Sequence, residues 1–197
     1  PNKDELLMGL NGKWRNCLRK GLRSKISVKK YDINIHQKIS YKISYKILQK
    51  ILDNYKKLKH DNQFSGISES LLETMVLQSG DNWGINLFIA NENIGGSDDD
   101  TIGTLVSIDY GDTSIYLIGT TNLKGRKLNV NYVLLWEAIL SAKNEGCKWF
   151  DIGGLDSTTP SGIAHFKKGL NAKPYELAGE WRIFNFPWMR MIGLHRV

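Results

Sequence analysis

The sequence predicts a single α/β domain on a mixed sheet (α+β in its order of elements), and three observations carry that expectation. Three strand-like runs, 85–90, 101–109 and 114–120, follow one another with only turn-forming residues between them, which makes an antiparallel meander. A helical stretch, 130–145, is then followed by a further strand, 148–152, and a strand–helix–strand connection of this kind sets its two strands parallel. Finally, 197 residues, 41% hydrophobic and 10% aromatic, supply one core, and neither an internal repeat nor an interdomain linker divides them. Residues 1–197 therefore read as one domain, with a basic amino-terminal helix and first strand in 1–30 and a terminal helix at 187–197.

Each element has a local reason. Trp14, Leu18 and Leu22 recur every four residues among arginines and lysines, so 12–25 forms an amphipathic helix with one apolar stripe and a basic remainder. Ile26 to Tyr31 fits the first strand. Ile43, Ile47, Ile51 and Tyr55 share one face of a helix over 40–59 whose other face is lysine-rich. Ser68 caps a helix reaching Gln78, with Leu71, Leu72, Met75 and Val76 on its buried side. Leu134, Leu135, Ala138, Ile139 and Ala142 give 130–145 its core face, and Gly146 stops it. Thr159 caps a short helix with Pro160 in its first turn and Gly169 at its end. Tyr175 to Phe184 makes a further strand, and Trp188 to Leu194 the terminal helix. In a mixed sheet of this order the strand-to-helix junction near 120–130 is the candidate ligand crevice.

The formal net charge of +7 favours an anionic partner, with nucleic acid, phospholipid and phosphorylated metabolites all open. Its distribution is more specific. Lys13, Arg15, Arg19, Lys20 and Arg23, continued by Lys25, Lys29 and Lys30, crowd the amino-terminal segment, and Lys124 to Lys127 form a second cluster; each is also what a solvated face requires. Cys17 and Cys147 lie far apart, and His36, His60, His165 and His195 are scattered, so neither a disulfide framework nor a metal centre is expected. The acidic run Ser97 to Asp100 lacks the further ligands of a calcium loop and reads as a solvated hairpin insertion. No apolar run approaches the roughly 18 residues of a membrane span, and Pro1 to Glu5 lacks a secretory pattern; the expectation is a soluble, cytoplasmic protein.

The element order matches the GNAT acyltransferase fold, and local patterns sharpen the likeness. Tyr132 to Ile139, then Phe150-Asp151-Ile152-Gly153-Gly154, Gly162-Ile163 and Phe166-Lys167-Lys168-Gly169-Leu170-Asn171 resemble the Fem family of aminoacyl-tRNA-dependent transferases. Lys13 to Gly21 resembles the arginine-rich helix that opens the second of that family's two GNAT-like domains. The resemblance implies a GNAT-like domain, aminoacyl-tRNA as donor, no further cofactor, and an amine acceptor such as a peptidoglycan precursor. It also implies that a missing domain or a partner chain contributes to acceptor binding. Two departures stand out: Leu170-Asn171 replaces the family's Phe-Gly, and Lys59 to Phe64 holds no Arg where relatives often carry one.

Aminolysis of an ester places negative charge on the carbonyl oxygen, and a fixed cation there lowers the barrier by an amount on the order of a few kcal/mol. Lys167 matches the family's functional Lys and is the candidate, although Lys167 and Lys168 are equally a basic last turn complementing a helix dipole. Asp151, at a strand end, either orients or deprotonates the amine or caps the next turn. Gly153 and Gly154 permit close approach of substrate, or form a tight turn. Phe166, Tyr116, Tyr132 and Trp136 are candidate pocket walls, the last three equally sheet face or core. Lys124, Arg126 and Lys127 precede the helix whose start, by the resemblance, is where GNAT enzymes hold a pyrophosphate. With one glycine, Lys124 to Asn129 lacks the cradle of coenzyme A users and suits a tRNA end better; Lys168, Arg15 and Arg19 are assigned to the same ligand. Two other functions stay open: an N-acyltransferase using acyl-CoA, and a non-catalytic basic module for nucleic acid or an anionic surface.

Overall fold

In the computed structural model, which describes residues 2–33, 38–62, 66–80, 83–92, 100–155, 159–176 and 179, the helical and extended periods resolve into twelve elements among those residues. In chain order they are α1 (Lys3–Gly9), α2 (Gly12–Arg23), β1 (Ser27–Ile33), α3 (Lys38–Asn62), α4 (Glu69–Gln78), β2 (Trp83–Asn91), β3 (Thr101–Tyr110), β4 (Thr113–Thr121), α5 (Leu123–Lys127), α6 (Val130–Asn144), β5 (Trp149–Asp151) and α7 (Ser161–Lys168). The strands lie in the order β1-β2-β3-β4-β5, antiparallel up to β4, with β4 and β5 parallel. The meander and the parallel step are thus as the sequence implies.

Alternating side chains send one set of strand residues to each face, and helices cover both. On one face Trp14, Leu18, Leu105, Leu134 and Trp136 form a core between the sheet, α2 and α6. On the other, Leu48, Ile51, Leu72, Val76, Leu87 and Val106 pack under α3 and α4. Each such large side chain removed from water stabilises the fold by about 1.5–3 kcal/mol.

Several local expectations are corrected. Asn2 and Glu5 close a reciprocal capping box that starts α1, an element the sequence reading passed over. Leu22 is 49% exposed, because the stripe of α2 turns from Leu18 to Gly21, where the helix meets α6 closely enough that a Cβ would lie 2.6 Å from Val133 Cγ2. Leu71 is likewise 49% exposed, leaving Leu72 and Val76 as the buried side of α4. Pro160, not Thr159, is the N-cap of α7. The second basic cluster is itself helical, as α5, with Asn122 capping it. Tyr175 and Glu176 are irregular rather than extended in a strand. The remainder of that strand except Gly179, the terminal helix at 187–197, the side chain of Ile43, His36, His195 and Ser97 to Asp99 lie outside the described residues.

One irregularity positions the site. Val106 pairs with Ile118 but Ser107 pairs with Tyr116, so β4 carries an extra residue at Leu117. The bulge sends Tyr116 to the α6 face and both Leu117 and Ile118 to the α3–α4 face.

Candidate active site

Pairing between β4 and β5 ends at Ile115 and Asp151. Immediately beyond, the Asp151 carboxylate accepts the Gly153 N–H at 2.7 Å and closes a turn in which Gly153 takes φ 74°, a left-handed conformation that costs an L side chain about 1–2 kcal/mol. Space does not demand glycine there, since a Cβ would stand in ordinary contact, 3.4 Å from Lys167 Nζ; the backbone conformation does. Lys167 reaches this turn from α7, is half-buried, and donates to the Gly154 carbonyl at 3.0 Å. The second Asp151 oxygen accepts the hydroxyl of Tyr175, and that bond to a carboxylate pushes the Tyr175 phenol above its ordinary range.

Across the turn stands Tyr116, whose carbonyl would lie 3.8 Å from a Gly153 Cβ. Its side chain folds back along β4 over Gly119, where a Cβ would come within 2.3 Å of the hydroxyl. Part of Tyr116 reaches the surface, yet burial around the phenol pushes it up to about 12, so it stays protonated at any physiological pH.

Phe166 lies between two other rings, 5.8 Å from Trp14 and 5.0 Å from Tyr132, while Trp14 and Tyr132 meet edge-on at 4.9 Å. Trp14 Nε1 donates to the Phe166 carbonyl at 3.1 Å and Asn11 N to the Gly169 carbonyl at 3.0 Å, which fastens the start of α2 to α7. Burial and a bond to the Cys17 thiol push the Tyr132 phenol up. Two cavities flank this junction. A largely apolar one of about 360 Å³ is lined by Trp136, Ile139, Phe150, Ile152 and Leu170, and a smaller one of about 150 Å³ by Asn11, Lys13, Tyr132, His165 and Lys168. Lys167 lines neither; it sits on the glycine turn.

The expected site residues therefore divide. Lys167, Asp151, Gly153, Gly154 and the backbone of Tyr116 come together. Trp136, 2% exposed, belongs to the core and the apolar cavity, and Tyr132 to the smaller one. Arg15 turns inward to the carbonyls of Leu7 at 3.4 Å and Met8 at 3.1 Å, closing the end of α1. Lys124 pairs with Glu92, whereas Arg126 and Lys127 on α5 and Arg19 on α2 are exposed. The start of α6 lies against Gly21, a Cβ of which would be 3.2 Å from the Leu128 and Asn129 carbonyls, so α2 occupies part of the space beside that helix end. Sequence reasoning missed Tyr175, which follows a loop whose path no periodicity predicts, whereas Lys13, already counted in the basic amino-terminal cluster, lines the smaller cavity. Among the described residues, no helix is long and apolar enough to cross a membrane, and no group of three or more His, Cys, Asp or Glu converges as a metal site would require.

In sequence and fold the chain resembles known proteins. The FemAB family matches residues 24–190. The crystal structure of FemX superposes with a TM-score of 0.66 at 15% identity, over 87% of this chain and 56% of FemX, so the chain spans little more than half the length of that relative. A putative acetyl transferase from Pyrococcus furiosus superposes with a TM-score of 0.51 at 16% identity, over 80% of this chain and 100% of the other. No curated protein sequence matches the chain.

Proposed function

Since the chain belongs to the FemAB family, we propose that it is an acyltransferase of the aminoacyl-tRNA-dependent kind, moving an amino acid from a charged tRNA onto an amine, with a cell-wall precursor as the acceptor class. The observation that carries this reading is the ammonium of Lys167, hydrogen-bonded at 3.0 Å to the Gly154 carbonyl on a turn whose Gly153 takes a left-handed φ. An ester carbonyl brought to that turn would meet a positioned cation as its oxygen becomes negative, which is worth on the order of a few kcal/mol of barrier.

In the reaction the acceptor nitrogen attacks the ester carbon, the C–N bond forms, the bond to the ribose oxygen breaks, and the proton lost by the amine ends on that oxygen. Lys167 stabilises the oxyanion between these events. Asp151, with one oxygen on Gly153 N–H and the other on Tyr175, holds the turn and acts as a positioning residue. The protonated Tyr116 phenol takes no proton at neutral pH, and the residue borders the turn through its backbone alone. Since this chain spans only part of FemX, a further domain or a partner chain would complete the acceptor site.

The direct test supplies tRNA charged with a labelled amino acid and a panel of amine acceptors, and follows the label onto the amine. Transfer from charged tRNA, and none from acyl-CoA, is the expected result. Transfer from acyl-CoA alone would place the chain with the N-acyltransferases; steep salt-sensitive RNA binding with no transfer of any kind would leave a binding module.

A further inference from the structure

The carbonyl of Phe166 and the amide of Lys167 belong to one peptide unit, and that unit is where α2 takes hold of α7. At the end of α7 the Leu170 N–H turns to the Lys167 carbonyl at 3.1 Å, so the Phe166 carbonyl loses the partner that a continuing helix would supply. Trp14 Nε1 donates to it instead, at 3.1 Å, from a side chain that is 3% exposed. The indole lies so close to the helix end that a Cβ on Gly169 would stand 2.7 Å from Trp14 Cδ1. A phenylalanine or a leucine would fill the same apolar stripe of α2 but has no donor, so the stripe alone does not account for tryptophan here.

Two further bonds hold the same turn. The Gly169 carbonyl accepts from Asn11 N at 3.0 Å, and Asn171, at φ 54°, donates from Nδ2 to the Gly9 carbonyl at 3.2 Å. Residues 9–14 thus grip 166–171 at three points, and Lys167 lies inside the gripped span while its ammonium reaches the Gly154 carbonyl at 3.0 Å. A lysine side chain left to itself samples many rotamers, and ordering it costs conformational entropy. With the backbone fixed from α2 and the ammonium fixed at the glycine turn, that ordering is complete before a substrate arrives.

We infer that Trp14 is a positioning residue for the reaction: its indole N–H sets the Phe166–Lys167 peptide plane, and with it the point at which the Lys167 ammonium stands on the glycine turn. The inference rests on the proposed transferase reading for what the ammonium does, and on the bonds alone for what holds it there. A misplacement of about 1 Å at a reacting group costs on the order of a hundredfold in rate, so losing one grip of the three is expected to cost less, about five- to thirtyfold.

Trp14→Phe keeps a ring and removes the donor. Asn171→Gly removes an exposed grip at a φ that glycine adopts freely, and carries the test where the first variant folds poorly. Leu22→Ala, exposed on α2, is the control. Two readouts are taken below the melting transition of every variant. One is the side-chain order parameter of Lys167 in protein whose lysines carry carbon-13 at Cε, its signal identified by its loss in Lys167→Arg. The other is single-turnover transfer from tRNA charged with a labelled amino acid. In Trp14→Phe the order parameter is expected to fall toward that of exposed Lys143, and the rate to fall about five- to thirtyfold at unchanged donor affinity. Asn171→Gly shows the same pair of changes with about a two- to fourfold loss of rate, and Leu22→Ala shows neither. A lower Tm with Lys167 order and rate as in wild type would make Trp14 a core residue only and overturn the inference. The two readings fail separately. Loosened Lys167 in a chain that transfers from no charged tRNA removes the transferase and keeps the grip; transfer at the wild-type rate in both grip variants removes the positioning role and keeps the transferase.

Discussion

Tyr175 donates its hydroxyl hydrogen bond to Asp151, so a residue from the segment after α7 closes the glycine turn on the side away from Gly153 N–H. Both carboxylate oxygens are thereby engaged in holding the turn. Asp151→Asn keeps an acceptor for the Gly153 N–H and is expected to retain transfer activity within about threefold, whereas Asp151→Ala loses the cap at about 1 kcal/mol and lowers activity more than about tenfold. Steady-state kinetics of the pair decide the matter: a loss on the order of a hundredfold or more in Asp151→Asn would make the carboxylate a general base instead.

Gly153 carries the turn's left-handed backbone, φ 74°. Gly153→Ala is expected to cost about 1–2 kcal/mol, which for a chain of this size lowers Tm by roughly 2–8 °C. Thermal unfolding measures the cost. Gly154→Ala, whose Cβ would meet nothing within 4 Å, should leave Tm close to wild type.

How much of this was legible in the sequence depends on where each residue's partner lies. The meander and the parallel step followed from periods of two and of 3.6 residues, which are local properties. The buried stripe of α2 was misplaced at Leu22 because the helix meets α6 through Gly21, a tertiary contact that apolar spacing does not report. Arg15 looked like its basic neighbours, yet α1 lies beside it and takes its guanidinium, and α1 went unseen because seven residues make too short a period. At the site, the glycine turn and Lys167 were legible through the resemblance, while the division of the aromatics between two cavities follows from packing alone.

The ion pair of Lys30 with Glu145 ties β1 to the end of α6, and Asp32 joins it at 2.9 Å. Burial pulls the Lys30 ammonium down, but the bonds to Glu145 and Asp32 outweigh it and hold it above its usual range. For Glu145 burial pushes the carboxyl up, and the bonds to Lys30 and Ser141 outweigh it and hold it below the ordinary carboxylate range. A carboxyl depressed in the folded state contributes stability above its unfolded pKa, about 4.3, and loses it as pH falls through the folded value. Both partners keep solvent contact, so the pair is worth only about 0.5–1 kcal/mol. Glu145→Gln is accordingly expected to lower stability by that amount at pH 7 and to match wild type near pH 2, by urea unfolding at the two values.

Not all basic residues should matter alike to RNA. Arg126→Ala and Lys127→Ala, exposed on α5, are expected each to reduce the salt slope of RNA binding by about 0.7–0.9 without changing Tm. Arg15→Ala removes the bonds to Leu7 and Met8 and is expected to destabilise by about 1 kcal/mol with little change in slope. Filter binding across a salt series, beside thermal melts, tells the two kinds of residue apart.

The central claim is that the Lys167 ammonium meets a developing oxyanion at the Gly153–Gly154 turn. Single-turnover transfer from charged tRNA by Lys167→Ala and Lys167→Arg, with donor affinity and Tm measured beside it, tests this most directly. The account predicts a rate lower by about 10²–10³ in Lys167→Ala with donor binding and fold preserved, and partial recovery in Lys167→Arg, which keeps the charge. A wild-type rate in Lys167→Ala, or a loss explained entirely by weaker donor binding, would contradict it.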